Sequence, residues 1–331
     1  MTITRVNVLG IAGDAKLMSG VTPSPAKSAS GSASWRLLAL VIFLGLCSVE
    51  AHSQELEPRT YTNLPVGLNF AGLGYAYSEG EVNAAPSVPI EDAELTLQVT
   101  GAAYVRSVDL WGRAGNFTAA WGRACVEGSA LLEGERVRGD RCGSTDPSLR
   151  VAYMFYGAPA MTMEAFRRTA VGRVIGLSLK VSAPWGDYSN ENIINSGSNR
   201  WTIKPEIGAS NRWGKWSVDA AFGVRLFTDN DNFKGSVTLE QDPLYQVQLH
   251  LIYDLPKRWW IALNGNYFWG GETRKDGIRA DDRQENSRLG LTLALPLTRQ
   301  QSLKLYASRG IVTSIGNDSD TVGVLWQYRW Q

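Results

Sequence analysis

Thr321-Val322-Gly323-Val324-Leu325-Trp326-Gln327-Tyr328-Arg329-Trp330 decides how the rest of the chain is read. Its even positions are Val322, Val324, Trp326, Tyr328 and Trp330, and its odd positions are Thr321, Gly323, Leu325, Gln327 and Arg329. Successive side chains of a strand point to opposite faces, so one face is apolar and aromatic while the other is mostly small or polar. A soluble sandwich strand shows the same alternation. The position in the chain and three aromatics on one face favour the closing strand of an outer-membrane barrel. Such a strand carries part of an aromatic girdle and pairs with the first strand to remove the sheet edges.

The composition fits without deciding. Charged residues make up 20% and hydrophobic residues 44%, with 34 Gly, 12 Trp and 12 Tyr. Amphipathic aromatics are favoured at membrane interfaces, where the ring is apolar and its N–H or O–H stays wet. An aromatic-rich soluble β protein has the same composition. The net charge of +1 gives no encouragement to a nucleic-acid partner.

Residues 1–53 read as an N-terminal extension plus signal peptide. Arg36 precedes the apolar run Leu37–Leu46, and Ala51-His52-Ser53 offers small residues for cleavage before Gln54, the pattern of a secretory signal. The run is short for a membrane-spanning helix. Cys47 raises a lipoprotein reading, which the bulky Leu46 before it disfavours. Met18 is an alternative start. Removal of residues 1–53 takes four Lys/Arg and two Asp/Glu and leaves 29 against 30. Residues 54–67 are then a periplasmic N-terminal segment, and residues 68–331 the barrel.

Beyond Leu68 the period-two alternation recurs. Val247, Leu249, Leu251 and Tyr253 oppose Gln248, His250 and Ile252; Ile261, Leu263, Tyr267 and Trp269 oppose Ala262, Asn264, Asn266 and Phe268. Counting such segments predicts twelve strands, at about 68–77, 94–109, 114–128, 147–156, 170–183, 200–210, 215–227, 244–254, 258–270, 287–297, 302–314 and 320–330. Connections after strands one, three, five, seven and nine are long and polar, and those after two, six, eight and ten are short. A soluble sandwich has no reason to sort loops by parity, whereas an outer-membrane barrel has long outer loops and tight periplasmic turns. The connection after strand eleven is short, and that after strand four, Gly157–Arg168, is long. Thr162 could start a short helix there, lying beneath the barrel or folding into it as a partial plug. The fold class is therefore all-β, a transmembrane antiparallel up-and-down barrel of about twelve strands in a Gram-negative outer membrane.

Several runs also carry a resemblance. Glu57-Pro58-Arg59-Thr60-Tyr61-Thr62-Asn63-Leu64-Pro65-Val66-Gly67-Leu68-Asn69-Phe70, Asn199-Arg200-Trp201 with Lys204-Pro205-Glu206, Phe227-Thr228-Asp229-Asn230, Gln241-Asp242-Pro243-Leu244, Asn286-Ser287-Arg288-Leu289-Gly290 and Trp326-Gln327-Tyr328-Arg329-Trp330 are involved. Together they resemble the outer-membrane family of transporters of the phenol meta-cleavage (MetA) pathway, over about residues 57–330. The resemblance implies an outer-membrane barrel concerned with uptake of aromatic or hydrophobic compounds, and brings no catalytic residues.

Alternation places Arg150, Tyr156, Lys180, Lys204, Glu206, Asp219, Arg225, Phe227, His250, Phe268, Lys304, Tyr306 and Arg329 on the lumen side. Charges of both signs must be hydrated or paired, which implies a water-filled channel or a filling ion-pair network. Tyr156, Phe227, Phe268 and Tyr306 serve either as contact points for an apolar solute or as lumen packing. Trp201, Tyr253, Trp269, Trp326, Tyr328 and Trp330 are the expected girdle. Cys125 and Cys142 are the cysteines left after signal removal and, in an oxidising compartment, are expected to pair. His250 is the single histidine left after signal removal, which argues against an imidazole metal site, and the acidic runs near Glu91, Asp229 and Asp281 match no calcium loop.

The reading is a narrow, monomeric, passive channel for small apolar or aromatic molecules, with no catalytic residue, metal or cofactor. Its partners are membrane lipid, the solute and the outer-membrane assembly machinery. The alternatives are a closed structural barrel acting through its outer loops and an outer-membrane lipid-modifying enzyme.

Overall fold

The computed structural model describes residues 57–83, 90–132, 135–169, 172–192 and 195–331. The extension, signal and cleavage site expected within residues 1–53 lie outside the described residues. In chain order the strands are β1 (Asn69–Asn83), β2 (Ile90–Leu110), β3 (Arg113–Leu132), β4 (Glu135–Ser144), β5 (Ser148–Tyr156), β6 (Val174–Ser182), β7 (Thr202–Trp213), β8 (Trp216–Phe227), β9 (Asn230–Phe233), β10 (Val237–Gln241), β11 (Leu244–Asp254), β12 (Trp260–Gly270), β13 (Thr273–Lys275), β14 (Ile278–Arg279), β15 (Gln284–Pro296), β16 (Gln301–Thr313) and β17 (Gly316–Trp330). One helix, α1 (Met163–Arg168), joins β5 to β6.

Twelve of these strands, all but β4, β9, β10, β13 and β14, form a closed antiparallel sheet. Closure is made by β17 on β1, in unbroken register from Asn69↔Trp330 to Asn83↔Gly316. All twelve expected segments fall on barrel strands. Two strands run further than expected: β1 reaches Asn83 rather than residue 77, and β3 reaches Leu132 rather than residue 128. Beyond Tyr77 the outward positions of β1 become Glu79 and Glu81, so the apolar period stops while the hydrogen-bonded ladder continues.

Burial is inverted relative to a soluble domain. On β11, Leu249 is 54% exposed on the outer face, while the neighbouring His250 is 3% exposed on the inner one. Leu149, Leu177, Leu263 and Leu291 point outward in the same way, whereas Asp219, Asn264 and Thr292 are buried inside. An apolar exterior around a polar interior is stable where the surroundings are hydrocarbon. The aromatics form two outward bands. At the end of the short turns Trp216 packs on Tyr253, and Trp326, Tyr328 and Trp330 stack in series. At the opposite, long-loop end Trp269 stacks with Tyr245 and Tyr267, and Trp185 meets Trp201 edge-on. Tyr245 and Tyr253 are eight residues apart on β11, about 26 Å along the strand.

Both exceptions to the loop rule are present. A two-residue connection joins β16 to β17 at the long-loop end, and residues 157–173 join β5 to β6 at the turn end. Ala114 N donates to Ala158 O and Ala160 N to Gly112 O, so this connector runs across the β2–β3 turn. Thr162 caps α1 by accepting from Ala165 N, and no residue of α1 is buried. The helix lies beneath the barrel.

The outer part of β3 leaves β5 and pairs with β4 as a projecting hairpin. Cys125 and Cys142 sit directly opposite there, with Cα atoms 4.0 Å apart, joined as a disulfide.

Candidate functional site

The residues ahead of β1 have no strand or helix period, and they enter the barrel from the turn end. This strap, Glu57 to Leu68, touches the inner wall strand after strand. Ser107 on β2 donates to Pro65 O (2.6 Å) and accepts from Leu68 N (2.9 Å). Val66 N donates to Met161 O of the connector (2.8 Å). Tyr61 reaches β6 and β7, with its hydroxyl 3.0 Å from Ser178 Oγ and donating to Glu206 Oε1 at 2.7 Å. Arg59 N donates to Asp219 of β8 (2.7 Å), and its guanidinium pairs with Asp254 of β11 and lies 4.9 Å above the Trp260 ring of β12. Glu57 meets Lys304 of β16 at 3.3 Å. Arg59 adopts a positive φ of 71°, and the hydroxyls of Thr60 and Thr62 hold this turn by donating to Glu57 O and Arg59 O.

Tyr61 is seated in a socket of small residues. Ala114, Ala152, Met154, Ala158 and Val174 form a buried cluster with it, and Ala221 packs alongside. Gly176 and Gly208 pair directly in register beneath the ring. A Cβ at Gly208 would come 2.1 Å from Tyr61 Cε2, so only a glycine permits this approach. The Arg150 guanidinium lies 5.5 Å from the ring centroid, a cation–π placement. Glu206 is in turn held by Lys204, Nζ to Oε2 2.9 Å, with both side chains under a tenth exposed.

A polar track continues around the wall. Gln246 donates to Asn266 Oδ1 (3.1 Å), and Asn264 Nδ2 donates to Thr292 Oγ1 (2.9 Å). Asn264 therefore turns its Oδ1 to His250, whose Nδ1 is the donor at 2.8 Å. Towards the outer loops, Arg200 donates to Gln241 (2.6 Å) and stacks 4.4 Å over Phe227, while Arg288 donates to Ser319 O (2.6 Å). These bonds fix side chains without closing a nucleophile–base pair. His250, the one histidine among the described residues, faces the interior and contacts an amide.

Of the residues expected inside, Arg150, Lys204, Glu206, Asp219, His250 and Lys304 are brought together by the strap or stand next to it. Lys180 pairs in register with both Arg150 and Lys204. Arg225, Phe227 and Phe268 line the inner wall nearer the loops, and Tyr306 opposes Thr292 and Gly323. Arg329 sits at the turn end, donating to Arg299 O (2.7 Å). Tyr156 is a correction. A register shift after Tyr153 rotates it to pair with Ile175 on the outer face, where it is 55% exposed. The residues missed are Tyr61, Arg59, Arg200 and Arg288. The last two were visible as single charges at strand positions, and the first two fall in a stretch with no period to read.

The comparisons agree with this architecture. The family model described as "Putative MetA-pathway of phenol degradation" matches residues 78–322. The crystal structure of the COG4313 outer membrane channel from Pseudomonas putida F1 is similar at 25% identity and a TM-score of 0.70, covering 83% of this chain and 100% of that one. The transport unit of the autotransporter AIDA-I from Escherichia coli shares the fold at 8% identity and a TM-score of 0.51, covering 90% of this chain and 97% of that one. No curated protein sequence matches. With a closed twelve-strand barrel, an inverted distribution of polarity and a family match over most of its barrel, the chain belongs to the outer-membrane family of the MetA pathway of phenol degradation.

Proposed function

We propose that the protein is an outer-membrane channel that admits small apolar or aromatic molecules by passive diffusion. The observation that carries this reading is the inner wall, where fixed polar and charged groups run from Arg200 near the loops to Asp219 and Arg59 at the turns. Such a wall is worth building where water and solute pass, since a filled core of the same size is more stable when apolar. Phe227, Phe268 and Tyr306 offer apolar contacts along it. The similarity to an outer membrane channel and the phenol-degradation family point to the same class of solute. The closed sheet leaves no barrel edge to recruit a second copy by strand addition. A lipid-modifying activity has no support in the site, because His250 is tied to Asn264 on the inner side, away from lipid.

The test is single-channel recording of the protein purified from outer membranes and placed in planar bilayers. Discrete steps that added phenol reduces are expected, with Arg225→Ala and Lys180→Ala shifting ion selectivity towards cations. A folded barrel with no conductance and no flux of phenol into vesicles would leave the closed structural barrel as the better account.

A further inference from the structure

Tyr61 is chemically a 4-alkylphenol, and the inner wall is built around it as a binding site is built around a ligand. The ring is 2% exposed and lies on Ala152, Met154 and Val174, each at most 1% exposed. Gly176 and Gly208 remove the side chains that the ring would otherwise strike. The hydroxyl finds one carboxylate oxygen, Glu206 Oε1 at 2.7 Å, and one hydroxyl, Ser178 Oγ at 3.0 Å. Lys204 engages the other carboxylate oxygen at 2.9 Å, leaving Oε1 aimed at the phenol. Arg150 covers the ring face.

We propose that this socket is a binding site for free phenols, in which Tyr61 is a tethered occupant that a phenol entering the barrel replaces. The inference rests on the channel reading and deepens it by naming the solute class and the place where it is held. The fastenings on either side of Tyr61, namely Arg59 on Asp219 and Asp254 and Pro65 on Ser107, do not involve its ring. The side chain can therefore leave the socket while the strap stays anchored. A neutral phenol reproduces both the ring contacts and the donated hydrogen bond. An arene without a hydroxyl leaves Glu206 Oε1 without its donor, and an aromatic carboxylate brings a second negative charge against Glu206. Both are rejected because unmet buried polar groups and like charges are costly. Tethering places Tyr61 at an effective concentration in the millimolar range, so free phenol competes at a disadvantage in the intact protein.

The test is calorimetric titration of the detergent-solubilised full protein with p-cresol, alongside toluene and benzoate. Tyr61→Ala is expected to bind one p-cresol per chain about tenfold or more tighter than the unaltered protein, and toluene at least about tenfold more weakly than p-cresol. Adding Gly208→Val to Tyr61→Ala is expected to abolish the binding. Should the alanine variant fail to fold alone, added p-cresol but not toluene is expected to restore its folding, and equal rescue by toluene overturns the proposal. Binding no tighter than that of the unaltered protein, equal affinity for toluene, or binding that survives Gly208→Val overturns the proposal. Bilayer conductance separates the two readings. A conducting barrel whose Tyr61→Ala variant ignores p-cresol loses the socket and keeps the channel, and a non-conducting barrel that binds p-cresol keeps the socket and loses the channel.

Discussion

The interior and the long-loop end of this barrel are both rich in ion pairs, and they use them under opposite conditions. In the interior Lys204–Glu206 lies out of water beside the Tyr61 hydroxyl, and Arg59 and Asp254, nearer the turns, are mostly covered. At the loop end a small sheet of β9, β10, β13 and β14 stands clear of the barrel. Its Arg274 is paired with Glu240 (2.8 Å) and Asp242 (3.0 Å), with side chains about a third exposed. Beside it runs a web of amides, with Asn199 on Asn230 and Asn190 on Asn232, each at 2.8 Å. Water screens the outer pairs and supplies substitutes for them. Water cannot take the place of a lost partner in the buried pair, so removing Glu206 costs Lys204 its carboxylate. The interior is held rigidly and the loop end is adjustable.

The strongest way to break that contrast is Glu206→Leu. Leaving the Lys204 ammonium without its carboxylate and Tyr61 without its acceptor should cost about 3 kcal/mol, read as a lowered denaturant midpoint. A loss under about 1 kcal/mol would put the interior pair in the same class as an exposed one. Next comes the double variant Cys125→Ser with Cys142→Ser. The bridge closes a sequence separation of 17 residues, a constraint worth about 3 kcal/mol. Because β4 pairs only with β3, the effect should appear as faster amide exchange in β4 with the barrel midpoint unchanged. A fall in the barrel midpoint would tie the projecting hairpin to the barrel's own stability.

The smallest effect sharpens the comparison at the outer sheet. Burial, and then the neighbouring Lys275 charge, push the Lys234 amine in the β9–β10 turn down to about 7 from an ordinary 10.5. Between those values the unfolded turn holds a proton that the folded one lacks, so folding of the outer sheet strengthens as pH rises from about 7 and is weakest below it. Amide protection of β9 and β10 should increase from pH 6 to pH 9 after correction for intrinsic exchange, and Lys234→Met should remove the trend. No change with pH in the unaltered protein would sink this account.

The barrel was legible because two periods coincide. Alternation along each strand fixes its faces, and loop length sorted by parity fixes its direction, so β8, β11 and β12 could be read position by position. Tyr156 failed because a bulge between Tyr153 and Tyr156 shifts the period by one, and nothing in the apolar pair inside it, Met154 and Phe155, marks the shift. The ends of β1 and β3 were placed short because the apolar period measures contact with hydrocarbon, and the ladder outruns it. The strap was illegible for a deeper reason. Tyr61, Thr62 and Asn63 follow no period, and their place depends on Gly176 and Gly208, more than a hundred residues away. Each of those glycines is unremarkable alone and becomes a socket only when β6 meets β7.

The seam between β1 and β17 sets an order of events. Its partners stand at opposite ends of the barrel's sequence, from Asn69 with Trp330 to Asn83 with Gly316. No wall surrounds the interior until the final strand arrives, and pairings this distant in sequence are slow to form. The strap leads directly into β1, so the same closure that completes the cylinder also fences in Tyr61. A β17 that stalls leaves an open sheet whose glycine-paved hollow faces the surroundings, with its own tyrosine on a loose tether beside it. Biogenesis of this protein is therefore a race between zipping the last strand and seating the first side chain.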